Sequence, residues 1–174
     1  MKNKVYAYVT RMADGNRQIL VYSHQNNSHA GVQIPGGTVE PGERIEETLY
    51  RELEEESGLV HLRFIGKLAQ IVNRKNPRRE LHHFFLVESL ESPPDTWTHE
   101  VQSFGKDDGH IFDFFWVDLR EAKKLLPDEQ RKFVNLITTN YPDDDPANHH
   151  PIIAGTRSHD VPFIGSESRS RLAE

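Results

Sequence analysis

The sequence predicts an α+β domain built on a mixed β-sheet, and three observations carry that reading. Two β-branched and aromatic-rich runs, residues 4–11 and 17–23, flank Ala13-Asp14-Gly15-Asn16, the pattern of a hairpin closed by a glycine-containing turn. One long helical stretch follows from Glu43 to Ser57, where Ile45, Leu49 and Leu53 recur every four residues as a single apolar stripe. Three further strand-like runs, 62–73, 80–88 and 110–117, then precede two helical segments at 119–126 and 128–139. Strands, helix, strands, helices is an order that favours α+β.

Between these elements the punctuation is consistent. A polar loop from His24 to Ala30 leads to a short run, Val32-Gln33-Ile34, ended by Pro35-Gly36-Gly37, and Pro41-Gly42 breaks the chain again before the helix. Gly58 is placed as the residue that closes the helix, with Leu59 beyond it. Asn76-Pro77 link the next two strands, and a polar loop with Pro93-Pro94 leads to Trp97. Pro127 stands between the last two helical segments, since proline is tolerated in a first helical turn. Residues 141–174 change character: Asp143-Asp144-Asp145-Pro146, His149-His150 and a Ser/Arg-rich end read as a tail. The expected organisation is a domain over 1–140 and a tail over 141–174, whose apolar islands Ile152-Ile153 and Val161–Ile164 dock on the body or on a partner.

Composition narrows the function classes. A hydrophobic content of 36% and a mean hydropathy of −0.68 describe a polar chain with a modest core. No stretch approaches the roughly 18 apolar residues of a membrane span, and the start, MKNKVYAYV, lacks the apolar run of a signal peptide. The absence of cysteine excludes disulfides, thiolate zinc sites and a cysteine nucleophile, so a cytoplasmic location is expected. A net charge of −6 argues against duplex nucleic acid as a partner. It also requires something cationic in the site if the substrate is a polyphosphate. A homodimer joined through the tail or a sheet edge is a further expectation.

The chemistry concentrates in one segment. Between Glu43 and Glu56, seven of fourteen residues are glutamate, opposed by Arg44 and Arg51. At about 100° per residue, Glu52, Glu55 and Glu56 fall within an arc of roughly 100°. Such neighbours repel by about 0.2–0.5 kcal/mol per exposed pair, and more where burial raises their pKa values. Either this is a solvated acidic face or it is a set of hard oxygen ligands for Mg²⁺ or Mn²⁺. Placement favours the ligands. The arc adjoins the apolar stripe, Glu46, Glu47, Tyr50 and Glu54 take the solvent side, and a glycine-rich turn that can approach a ligand lies directly upstream.

This segment resembles the Nudix box, Gly-x5-Glu-x7-Arg-Glu-U-x-Glu-Glu-x-Gly-U, with U aliphatic. Gly37, Glu43, Arg51, Glu52, Leu53, Glu55, Glu56, Gly58 and Leu59 fill every specified position. The resemblance to the Nudix hydrolases implies an α/β/α sandwich with a mixed sheet and the box as loop–helix–loop. It implies that Glu52, Glu55 and Glu56 bind a divalent metal, Glu56 foremost, with the Gly36 carbonyl as a further ligand. The metal neutralises the diphosphate and lowers the pKa of a bound water. Glu43 and Arg51 then brace the loop against the helix, and Gly37, Gly42 and Gly58 hold backbone positions that a Cβ opposes. For the general base the resemblance offers Glu52, or an acidic residue before a late strand: Glu100, with Asp107 and Asp108 as substitutes.

Other candidates have simpler explanations. His82 and His83 are adjacent in a strand and point to opposite faces, so at most one faces the site. Trp97, Phe84, Phe85, Phe114 and Phe115 are candidates to stack on a base, although core packing explains most phenylalanines. Arg78 and Arg79 are candidates for phosphate. The implied activity is hydrolysis of a diphosphate bond in a nucleoside diphosphate derivative, by default a nucleoside di- or triphosphate. The NADH-type Ser-Gln-Pro-Trp-Pro-Phe motif, the coenzyme A pattern and the diadenosine-type tyrosine are absent. Pro77 is similar to the downstream proline of the ADP-ribose subgroup but stands further along, which keeps ADP-ribose and nucleotide sugars as the alternative. A nucleotide sensor on the same fold is a third reading, opposed by the complete glutamate set.

Overall fold

In the computed structural model, residues 1–74, 79–102, 109–139 and the backbone of Ile152–Ile153 are described. Strands β1 (Lys2–Ala13) and β2 (Asn16–His24) form the expected hairpin, antiparallel from Thr10↔Ile19 to Ala13↔Asn16. They are followed by β3 (Gly36–Thr38), α1 (Ile45–Ser57), β4 (His61–Asn73), β5 (Glu80–Ser89), β6 (Thr96–Glu100) and β7 (Ile111–Asp118). Three short helices, α2 (Leu119–Leu125), α3 (Asp128–Arg131) and α4 (Val134–Ile137), precede β8 (Ile152–Ile153). The sheet order is β6-β7-β2-β1-β5-β4-β8, with β3 on β1 beyond the end of β2. Strands β1 and β5 run parallel and the other pairings are antiparallel, so the sheet is mixed.

Side-chain alternation along the central strands builds two cores. Val5, Ala7 and Val9 of β1, with Phe85 and Val87 of β5, face α1 through Leu49 and Leu53. Tyr8 of β1, with Phe84 and Leu86 of β5, faces the other helices through Ala122, Val134 and Ile137. Covered on both sides, β5 is buried almost without interruption, as a strand sandwiched between helix layers should be. The result is the α/β/α sandwich expected from the sequence. Among the described residues no helix is long and apolar enough to cross a membrane.

Several local expectations are corrected. Val32–Ile34 makes only an isolated bridge, Tyr22↔Gln33, and the strand in this region is Gly36–Thr38, where turn punctuation was expected. Thr96–Glu100 is a strand rather than loop. Its five residues alternate exposed and half-buried because β6 ends the sheet order, a pattern too short and polar to register as periodicity. The segment 128–139 splits into α3 and α4 at Lys132–Phe133. Pro127 stands outside the helix as its extended cap, its carbonyl accepting the Gln130 and Arg131 N–H groups. Helix α1 begins at Ile45, leaving Glu43 in the preceding loop. Tyr50 is half-buried against the α1 core rather than solvent-facing, and burial pushes its phenol up to about 12.

Candidate functional site

The site forms where α1 meets the outer edge of β3. Strand β3 pairs with β1 as Lys4↔Thr38, Val5↔Gly37 and Tyr6↔Gly36. In an antiparallel pair alternate residues turn their N–H and C=O groups away from the partner strand. The outward N–H groups of Gly36 and Thr38 meet the helix: Gly36 donates to Glu56 Oε2 at 2.9 Å and Thr38 to Glu52 Oε1 at 3.1 Å. Two helix glutamates thus complete the hydrogen bonding of a strand edge.

Gly37 lies between those donors, and the reason for glycine there is space. A Cβ at Gly37 would stand 2.0 Å from the Glu52 carboxyl carbon, and one at Gly36 would stand 2.2 Å from the Val5 carbonyl oxygen. Gly58 has a different reason: with φ 76° it closes α1 in the left-handed region, its N–H donating to the Glu54 carbonyl.

Arg51 and Glu43 join loop and helix. Arg51 donates from Nε to Glu43 Oε1 at 2.7 Å and from Nη2 to Glu43 Oε2 at 3.0 Å, a two-point contact of the strong kind. The same guanidinium reaches Glu55 at 3.0 Å, the Thr38 carbonyl at 3.1 Å and Glu52 Oε1 at 3.1 Å. Hydrogen bonding to Arg51 pulls the Glu43 carboxyl down to about 2, against the effect of burial and with help from Thr48 and the Glu40 N–H. A depressed folded-state pKa stabilises above the unfolded value and loses that contribution as pH falls to the folded one. The melting-temperature gap between the protein and Glu43→Gln is therefore expected to be widest at neutral pH and to shrink from about pH 4.5 to about 2. A gap that stays flat across that window would show the contact contributes nothing.

The other glutamates differ in surroundings. Glu56 is 5% exposed. Burial raises the Glu52 carboxyl above its ordinary range, with Glu55 adding to the shift and Arg51 opposing it. Strand β6 holds the far end of the helix: Trp97 Nε1 donates to the Ser57 carbonyl at 3.0 Å, and His99 Nε2 and the Gln102 N–H both reach the Glu55 carbonyl. Carbonyls of a last helical turn lack intrahelical donors, and this strand supplies them. Glu100 ends β6 exposed, on the stretch between His99 and Gln102. It therefore lies at the C-terminal end of α1, without a described contact to Glu52, Glu55 or Glu56. Asp107, Asp108, Arg78 and the 141–151 and 154–174 segments lie outside the described residues.

Among the described residues no group of three or more His, Asp or Glu side chains is arranged to hold a metal ion. Glu52, Glu55 and Glu56 are instead engaged by Thr38, Arg51 and Gly36. Phe84, Phe85 and Phe114 are buried in the cores, Phe115 packs on the second core, and Trp97 stacks on Phe114. Core packing thus accounts for the buried phenylalanines, while Trp97 is only partly buried. Arg79 is exposed, with φ 46°.

Sequence reasoning missed a second polar cluster on the opposite face. His82 is 2% exposed, with Nδ1 against Glu129 and Nε2 at 3.2 Å from Glu80. Glu80 and His82, two apart in one strand, share a face, a signal that was available. Glu129 comes from α3, 47 residues away, which no local pattern reveals. His83 faces the other way and contacts Asn3.

The NUDIX domain matches residues 2–137. Over 64 residues, 34% of this chain, the sequence is 38% identical to an ADP-ribose pyrophosphatase of Methanocaldococcus jannaschii; the chain spans 38% of that relative's length. A C. elegans Ap4A hydrolase in a binary complex superposes with TM-score 0.63 at 17% identity, over 80% of this chain and 96% of that one. The NUDIX domain of Shewanella oneidensis NrtR, complexed with ADP ribose, gives 0.55 at 18% identity over 78% and 83%. At such identities these two likenesses establish a shared fold.

Proposed function

The chain belongs to the NUDIX domain family, and from that membership we propose that it is a pyrophosphohydrolase, cleaving a diphosphate bond in a nucleoside diphosphate derivative with the help of Mg²⁺ or Mn²⁺. The observation that supports this best is the meeting of Glu52 and Glu56 on the outer edge of β3, held in register by the Arg51–Glu43 pair. A lone arginine among these glutamates leaves negative charge in excess at a margin that has to accept an anion.

The donor set suits a hard divalent cation: Glu52, Glu55 and Glu56 offer carboxylate oxygens, and Gly37 leaves a cradle that a Cβ would fill. Glu56, Glu55 and Glu52 would hold the ion, together with the Gly36 carbonyl. When bound, such an ion neutralises the diphosphate and lowers the pKa of a water. The remaining work falls to the chain. Arg51 keeps Glu52 and Glu55 in place, and the Gly36 and Thr38 N–H groups of β3 hold Glu56 and Glu52. Glu52, with its pKa raised by burial, is suited to accept the proton of the attacking water.

Glu52→Gln is expected to lower turnover number more than Glu100→Gln when each variant is saturated with metal; the reverse order would move the base to Glu100. The proposal itself is tested by hydrolysis of a panel of canonical and oxidised nucleoside triphosphates, nucleoside diphosphates, ADP-ribose, other nucleotide sugars and dinucleoside polyphosphates, with and without chelator. Metal-dependent release of one product pair supports it, and silence across the panel counts against it. Nucleoside di- and triphosphates are the default substrates. The resemblance to a pyrophosphatase of ADP-ribose supports that compound as the alternative. Residues 1–140 are taken as the catalytic unit, and the pairing of Ile152–Ile153 with β4 makes part of the tail an extension of its sheet.

A further inference from the structure

A cavity of about 380 Å³ lies on the face of the sheet opposite α1, lined by Tyr6, Asn73, His82 and the Pro127–Gln130 turn. Tyr6 connects it to the glutamate site. A Cβ on Gly36 would stand 2.9 Å from the Tyr6 ring, and Gly36 is the residue bonded to Glu56. The floor is rigid: the Tyr6 ring stacks on Phe84 at 5.1 Å, and Gln130 is fixed by the Ile34 N–H and by the Tyr8 hydroxyl on its carbonyl.

The Glu80–His82–Glu129 group lines or backs this cavity. Burying two ionisable groups, Glu80 and His82, beside a half-buried Glu129 is expensive, and well-packed apolar residues would often serve stability as well or better. Helix α3 already has another anchor in Gln130, whose side chain accepts the Ile34 N–H and whose carbonyl accepts the Tyr8 hydroxyl. The group therefore calls for a reason beyond holding α3 to the sheet.

We infer that this cavity is the nucleobase subsite and that it selects a base of the guanine type, whose edge offers one acceptor beside two adjacent N–H donors. This rests on the pyrophosphohydrolase reading, which supplies a nucleotide as the ligand. A carboxylate accepts only, through two oxygens with about four lone-pair sites, so Glu129 keeps acceptor capacity while bonded to His82. Tyr6 and Asn73, both of which carry hydrogen-bond donors, line the same cavity. Guanine presents its O6 to such donors and its N1–H and N2–H groups to the carboxylate. Adenine and cytosine each turn a ring-nitrogen lone pair toward that carboxylate. Uracil offers one N–H between two carbonyls. Only the guanine edge meets both oxygens with donors.

The test is binding of GMP, AMP, CMP and UMP to the full chain with chelator present, followed by NMR. GMP is expected to bind about tenfold or more tighter than AMP, the discrimination of one good two-point contact. Glu129→Gln keeps an acceptor for His82 and replaces the other oxygen by an amide donor, the pattern that pairs with adenine. The preference is then expected to reverse toward AMP. Tyr6→Phe should weaken GMP several-fold with AMP little changed. Equal affinities, a preference for another base, no binding, or a GMP preference that survives Glu129→Gln in a folded variant would each overturn the inference. Failure here is separable from failure of the activity: metal-dependent hydrolysis without base preference leaves the pyrophosphohydrolase reading standing, whereas GMP selectivity without hydrolysis leaves only the subsite.

Discussion

Glu56→Gln is expected to lower turnover by about three orders of magnitude while the protein remains folded. The magnitude follows from the role proposed for Glu56. Stabilisation of a transferring phosphoryl group by a bound cation is worth several kcal/mol, and each ~1.4 kcal/mol is tenfold in rate. The survival of the fold follows from geometry. Glu56 accepts the Gly36 N–H through one oxygen at 2.9 Å, and the amide oxygen of glutamine can accept it equally. Replacement by alanine would instead leave that donor unmatched at a buried position, costing about 1–3 kcal/mol. The glutamine variant therefore separates charge from hydrogen bonding. Turnover in the presence of Mg²⁺ or Mn²⁺, read beside a thermal melt, checks both halves. Near-native turnover in a folded Glu56→Gln protein would remove Glu56 from the site.

Gly37→Ala is expected to cut activity about a hundredfold and to lower stability by about 1–3 kcal/mol, the usual range for overpacking. The new Cβ would stand 2.0 Å from the Glu52 carboxyl carbon and 2.1 and 2.2 Å from its two oxygens. Either β3 or Glu52 has to move. If Glu52 moves, it leaves the Thr38 N–H at 3.1 Å and Arg51 at 3.1 Å, so the candidate base and a candidate ligand shift together. Gly42→Ala is the control: that residue has φ 89° and open space around its Cβ position. Its replacement should strain the loop by about 1 kcal/mol and leave the activity of the folded fraction nearly intact. Equal activity losses in the two variants would mean that loop strain, rather than collision with Glu52, is what the site cannot tolerate.

The sequence revealed most where the physics is local. The Ile45/Leu49/Leu53 stripe fixed which side of α1 is buried, and that in turn put Glu52 and Glu56 at the margin of the core. The resemblance to the Nudix box, carried by nine residues from Gly37 to Leu59, implied the loop that folds back on the helix. Contacts that depend on distant pairing stayed hidden. Strand β3 exists because Gly36–Thr38 finds β1, and glycine has no strand propensity to announce it. Strand β6 is recognisable only once Trp97 and His99 are seen capping α1. Tyr50 was misplaced because a helical wheel shows one neighbour face, while the half-buried flank of α1 also packs on the sheet. Glu129 was invisible because its partner His82 lies 47 residues away in the sequence, beyond any local pattern.

The hydrogen bonds from Gly36 and Thr38 to the helix glutamates have a consequence for how this protein keeps company with its own copies. A strand whose outer amides face water is a template for a strand of another molecule. Here those amides are covered by acidic side chains of the same chain, and an approaching backbone would meet negative charge instead of free donors. The residues proposed for catalysis thus also cover the amides through which a second copy could pair. Loss of these glutamates would uncover the Gly36 and Thr38 amides at the same time as it removed the proposed ligands.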